Sequence, residues 1–219
     1  MYDLSAVLDV DALKSVAPGA SILITGPAMT GKEELMKQIL ADGAADGDGA
    51  IAMTTGGRAE DVIADIESRS DAIEPSGLCG IDCRAESNRE QAELDSGAYV
   101  HRVAAPSDMT GIGVAVTDCF DRLHDAGFER GRLGLTNLST MITYADQQTV
   151  FKFCHVLSSR LDPADFLGTF TIDSSAHDQQ TLQVIKQTFD GVIEIEEREG
   201  VRKARVMGVE PDPSEWVEL

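Results

Sequence analysis

Positive charge is what this sequence has least of. Lysine and arginine together supply 18 of its 219 residues against 38 aspartates and glutamates, for a formal net charge of −20. The acids are dispersed along the chain and not gathered in one tail, so the charge belongs to the whole surface. Such a surface repels nucleic acid and anionic membrane at ordinary salt, and no basic patch with interleaved aromatics offsets it. Nucleic acid and membrane are therefore excluded as expected partners. Near 1 M salt the Debye length shrinks to about 3 Å and self-repulsion is screened. Dispersed acid, six lysines and an aromatic content of 5% suit the cytoplasm of a halophile, with an acidic mesophilic protein as the alternative.

Long apolar runs are also missing. No stretch of 18 apolar residues occurs, and the opening "MYDLSAVLDV" carries acids where a secretory signal needs bases, so a cytoplasmic protein is expected. Cysteine is scarce. Cys79, Cys83, Cys119 and Cys154 lie in apolar runs without a paired CxxC pattern, which reads as buried free thiols and not as a zinc site. The four histidines, His101, His124, His155 and His177, have no Ser or Cys partner evident by position, so no nucleophilic triad is expected.

What remains is an alternation of strand-length apolar runs with helical periodicity. A chain of 219 residues that is 42% hydrophobic suffices for one α/β domain and is short for two, so residues 1–219 are read as a single domain. Strands are predicted at 21–25, 50–55, 77–83, 99–105, 132–138 and 167–173, with helices after most of them, and a β-hairpin over 191–209. The segments "ADGAADGDGA" (41–50) and "RAESNREQAELDSG" (84–97) read as loops, the second as a mobile one. This order implies an α/β fold with a mostly parallel central sheet and helices on both faces. Ligands then belong at the carboxyl ends of the strands.

One stretch carries chemistry. "GPAMTGKEEL" (26–35) follows a predicted strand and opens a predicted helix, the context in which G-x-x-x-x-G-K cradles phosphate. Backbone N–H groups of Gly26, Pro27, Ala28, Met29, Thr30, Gly31, Lys32 and Glu33, proline excepted, would curl around the anion, with Lys32 reaching its outer phosphates. Glu33 stands where the pattern expects a hydroxyl on magnesium. A carboxylate about 4 Å from a phosphate oxygen is repelled by roughly 4 kcal/mol at an effective dielectric of 20 unless a cation intervenes. Glu33 accordingly ligates Mg, points away, weakens binding, or itself occupies the anion site over the helix N-terminus.

Four stretches in order, "GASILITGPAMTGKEEL", "PSDMTGIGVAVTDCFDRL", "RGRLGLTNLSTMITYADQQTVFKFCHVLSSRL" and "GTFTIDSSAHDQQTLQVIKQTFDGVIEI", resemble the RecA superfamily. The likeness is to its KaiC-like ATPase branch, and within that to small single-domain haloarchaeal proteins. The resemblance spans about residues 4–209. It implies a RecA-like P-loop fold, ATP as nucleotide, and a homo-oligomer or protein partner. Against that pattern, Thr136 and Asn137 replace a magnesium-orienting Asp and its Ser, and Thr54, Thr55 and Gly56 replace paired catalytic glutamates. With Glu33, three parts of the hydrolytic machinery are altered together. The expected activity is an ATP-binding regulatory or signalling module with weak or absent hydrolysis. A slow Mg-dependent ATPase working as an oligomer, or an interaction protein that binds no nucleotide, are the alternatives.

Several polar residues stand as candidates beside it. Asp82 either orients magnesium or a water or caps the loop after its strand. Asp173, His177 and Asp178 either sense nucleotide or begin a helix, and Ser107 and Asp108 look like another helix start. Lys203 and Arg205 either reach a neighbouring subunit's phosphate, as the resemblance suggests, or lie on a solvated strand face.

Overall fold

The computed structural model describes residues 1–84 and 91–219. Among them, ten strands join one sheet in the order β10-β9-β8-β1-β7-β6-β2-β3-β5-β4. In chain order they are β1 (Ser21–Gly26), β2 (Gly49–Thr54), β3 (Leu78–Asp82), β4 (Gln91–Glu93), β5 (Tyr99–Arg102), β6 (Gly131–Leu135), β7 (Phe166–Asp173), β8 (Gly191–Arg198), β9 (Val201–Met207) and β10 (Val217–Glu218). From β8 across to β5 every pairing is parallel; β9, β10 and β4 add antiparallel edges. Every residue of β1, β2, β3 and β6 is buried, as central parallel strands covered on both faces require.

The covering helices are α1 (Lys32–Ala45), α2 (Ala59–Glu67), α3 (Met109–Asp125), α4 (Leu138–Tyr144), α5 (Gln147–Leu161) and α6 (Gln179–Lys186). Strand alternation sorts them into two layers. Ile22 and Ile24 of β1 face a cluster containing Leu35, Met36 and Ile39 of α1 and Ile63 of α2. Leu23 faces the other, with Ile112 and Val116 of α3, Met141 of α4 and Phe153 of α5. The α/β class, the mostly parallel sheet with helices on both faces and the hairpin of β8 and β9 are thus as expected. Among the described residues, no helix is long and apolar enough to cross a membrane.

Four local expectations are corrected. The segment 41–50 is not a loop: α1 continues to Ala45 and β2 begins at Gly49. Its glycine is tolerated because Gly43 packs on the guanidinium of Arg132, which a Cβ there would meet at 2.2 Å. Within 84–97, Gln91–Glu93 pairs with β5, since an exposed strand edge offers unsatisfied backbone groups; residues 85–90 lie outside the described residues. The strand predicted over 132–138 stops at Leu135, and a seven-residue helix, α4, starts at Leu138 after Asn137 turns into the left-handed region at φ 60°. The fourth correction concerns His177, described below.

Two of the helix starts are as read. Asp108 caps α3 by accepting from the Gly111 N–H at 2.9 Å, and Asp178 caps α6 through the Thr181 N–H at 2.7 Å. All four cysteines are free and buried. Burial pushes the Cys154 thiol up to about 12, so it is inert as a nucleophile.

Candidate functional site

The loop 27–31 joins the carboxyl end of β1 to the first turn of α1. β1 sits between β7 and β8, so three parallel strand ends converge on the loop. This is the position where open α/β sheets bind ligands. Gly31 adopts φ 91°, a left-handed conformation suited to glycine, and Met29 adopts φ 61° with its side chain in solvent. Gly26 has no room for a Cβ, which would stand 2.7 Å from the Ile195 carbonyl oxygen. Thr30 Oγ1 donates to the Pro27 carbonyl at 2.8 Å, holding the turn closed.

Lys32 is only 8% exposed, and its ammonium donates to the same Pro27 oxygen. Among the described residues it has no carboxylate partner within ion-pair distance, although acids outnumber bases two to one along the chain. Burial lowers its pKa; the charges of Asp173 and Glu33 act the other way. A buried cation held by one carbonyl is poised for an anion that brings both charge and acceptors.

The loop opens into a cavity of about 430 Å³ lined by Lys32, Glu33, Asn137, Thr171, Asp173 and Arg202, among others. Glu33 is exposed, and neither it nor Gly31 supplies a side-chain cap to α1, so Glu33 does not occupy the anion site. Asp173 closes β7 directly beside Gly26, in register with it. Burial raises its pKa, but hydrogen bonds from Ser175 and the charge of Lys32 outweigh that and hold it below the usual carboxylate range.

Asp82 is elsewhere. It ends β3, four strands from β1, or roughly 19 Å at the usual strand spacing. Its carboxylate is fully buried and gripped by Arg84, with Nη2 at 2.7 Å and the backbone N–H at 3.0 Å. Burial raises its pKa, and these bonds reverse the shift. The structure does not bring Asp82 to the loop; the strand-end acid that it does bring there is Asp173.

The positions where the resemblance expects catalytic acids are used to join strand ends. Thr55 Oγ1 donates to the carbonyls of Thr136 at 3.0 Å and Asn137 at 3.3 Å, and the Asn137 N–H donates to Thr171 Oγ1 at 2.7 Å. Thr54 Oγ1 donates to the Gly57 carbonyl. Beside them, His177 Nε2 and Ser139 Oγ are 2.8 Å apart, and the Asp173 N–H reaches the same hydroxyl at 3.1 Å. The expectation that His177 has no serine partner is therefore corrected: 38 residues separate the two in sequence, and only the β6–β7 register unites them. Arg205 is bound within its own chain, to Glu194 at 2.7 Å and against Trp216, while Lys203 is partly buried beside it. Sequence reasoning missed Arg202, whose guanidinium overlies Gly31; its place in an alternating basic strand carries no signal of which face meets the loop.

Among the described residues no cluster of three or more His, Cys, Asp or Glu is placed to hold a metal ion. The chain has no match among curated proteins. A family profile does match, over residues 19–195, which takes in the sheet from just before β1 into β8. The chain belongs to that family, described as "Family of unknown function (DUF7504)".

Proposed function

We propose that this chain is a RecA-like P-loop protein of KaiC-like type that binds ATP between Gly26 and Glu33. In this reading it works as a regulatory or signalling module with weak or absent hydrolysis. The observation that carries the proposal is Lys32: a buried ammonium that, among the described residues, is in no ion pair, inside a strand-to-helix loop at converging strand ends. Backbone N–H groups of the loop and the α1 N-terminus supply the remaining positive potential.

The residues fit a nucleotide's phosphates better than they fit a resident metal. Magnesium commonly takes one or two carboxylates, with phosphates and water completing its shell. Glu33 and Asp173 both line the cavity and would hold it; a bound ion would screen these carboxylates from phosphate. Asp173 is also the observation that favours the second reading, a slow Mg-dependent ATPase, since it puts an acid next to the loop. A homo-oligomer or a protein partner would receive the signal, through ordering of the loop on binding.

The test is titration calorimetry with ATP in multi-molar KCl, with and without magnesium, on wild type and Lys32→Ala, followed by phosphate release. Wild type is expected to bind, and Lys32→Ala to lose on the order of 10- to 100-fold in affinity, the value of a hydrogen-bonded charge. Release no faster than the buffer blank marks a binder; magnesium-dependent release marks the slow ATPase. No wild-type binding, with or without magnesium, refutes the nucleotide reading and leaves a protein that acts through its surfaces.

A further inference from the structure

The hairpin of β8 and β9 brings a second cation to the loop. Its basic residues have distinct surroundings. Arg198 pairs with Glu196 and lies over the Trp216 ring at 4.6 Å; Arg205 pairs with Glu194 and lies over the same ring at 4.7 Å. Arg202 does neither. A Cβ placed on Gly31 would stand 3.1 Å from Arg202 Nη1, so the guanidinium rests on the one loop residue with no side chain to displace it. Arg202 also lines two adjoining spaces, the 430 Å³ cavity with Lys32 and a groove of about 710 Å³ along α1. Among the described residues it is in no ion pair, in a chain of net charge −20. Glu34, which lines both spaces with it, is occupied by Arg69 at 2.7 Å and Lys37 at 3.1 Å.

Two cations, each outside any ion pair among the described residues, thus bracket Gly31: the buried Lys32 within the loop, near the charges of Asp173 and Glu33, and the exposed Arg202 outside it, opposite Glu197 in the hairpin. We infer that Arg202 is a phosphate-binding residue of its own chain's loop, and that the site selects ligands with at least two linked phosphoryl groups. The inference rests on the nucleotide reading above and adds the residue and the selectivity. A single phosphate on Lys32 leaves the guanidinium without an acceptor, whereas a diphosphate offers one oxygen set to each cation, and the planar fork suits the second. The sequence offered Lys203 and Arg205 either a neighbouring subunit's phosphate or a solvated strand face; Arg202, in this inference, acts within the chain.

Calorimetry with ATP, pyrophosphate and inorganic phosphate on wild type, Arg202→Gln and Lys152→Gln tests this. Lys152 is an exposed base on α5 and controls for the loss of one positive charge. Arg202→Gln is expected to weaken ATP and pyrophosphate by about tenfold, with Lys152→Gln unchanged and inorganic phosphate weak throughout. Equal affinity of wild type and Arg202→Gln for ATP, an equal loss in Lys152→Gln, or orthophosphate binding as tight as pyrophosphate overturns the inference while leaving the nucleotide reading intact. Mixing Arg202→Gln with Lys32→Ala separates own-chain from neighbour action: binding restored in the mixture overturns it too. No wild-type binding of ATP or pyrophosphate removes both readings together.

Discussion

Two helical glycines should respond to alanine in opposite directions. Both Gly43 in α1 and Gly113 in α3 lie inside helices, where Gly→Ala alone favours folding by about 0.5–1 kcal/mol. At Gly113 the added methyl meets only Arg160 Nη1 at 3.6 Å, an ordinary contact, so that gain should appear in full. At Gly43 the methyl would lie 2.2 Å from Arg132 Nε and 2.6 Å from its Cζ. The Arg132 side chain is 3% exposed and cannot swing aside. Asp48 holds it at 3.1 Å, Asp42 at 3.2 Å and the Ile39 carbonyl at 2.8 Å. Breaking that buried pair costs about 3–5 kcal/mol, and moving α1 instead costs about 1–3 kcal/mol as overpacking. The cheaper response prevails, and after the helix-propensity gain the net loss centres on ~1 kcal/mol. Urea unfolding in multi-molar KCl reads both: the midpoint should fall for Gly43→Ala and rise for Gly113→Ala. A Gly43→Ala protein as stable as wild type would refute the account of Arg132 as an immobile wedge, and with it the claim that α1, the platform of Lys32, is fixed from its far end.

Other perturbations separate site from scaffold. Asp82→Asn should reduce stability by about 1–3 kcal/mol, because buried Arg84 hydrogen bonds weaken, while ATP affinity stays at the wild-type value; a loss of affinity without a loss of stability would return Asp82 to the site. His177 carries a pH signature. Burial, opposed by Asp173 and Asp178, lowers its pKa from 6.5, so the fold favours the neutral ring. Its contribution is complete above 6.5 and lost as pH falls through the depressed folded value. Comparing wild type with His177→Gln just above and well below 6.5 should show a smaller acid-side loss in the variant, and an equal loss would refute the assignment.

The parts legible in the sequence were those with a local signal. "SILIT" is a continuous apolar run, and Leu35, Met36, Ile39 and Leu40 recur at helical spacing, so β1 and the start of α1 were readable. The end of α1 was hidden because Asp42, Gly43 and Asp46 carry turn composition, and only contact with Arg132 explains a glycine there. Likewise α4 was missed: seven residues with Ile142 and two threonines give too short a period, and its start depends on a left-handed Asn137. Asp82 and Asp173 look alike in sequence, each an acid closing a strand. Strand order alone puts one beside Gly26 and the other four strands away. The Ser139–His177 contact and Arg202 were out of reach for the same reason, since long-range register leaves no local trace.

The two sides of the site differ in what their side chains do. On the side of β1 and α1, Gly31 has a left-handed turn, and Lys32 is buried and, among the described residues, outside any ion pair. On the side of β2, β6 and β7, Thr54 and Thr55 donate to backbone carbonyls and Thr171 accepts from the Asn137 N–H, which leaves Asp173 as the acid beside the loop. A threonine whose proton is donated to a strand-end carbonyl cannot also take a proton from water at neutral pH, and it has no charge to orient a metal. Burying a lysine outside any ion pair is costly, and an anion bound in the loop would offset that cost. A buried cation beside strand ends joined by threonine hydrogen bonds favours the proposed protein, one whose output is set by occupancy. Such a protein gains stability as RT ln(1 + [L]/Kd) when ligand rises and returns by dissociation, with no chemical step between the two states.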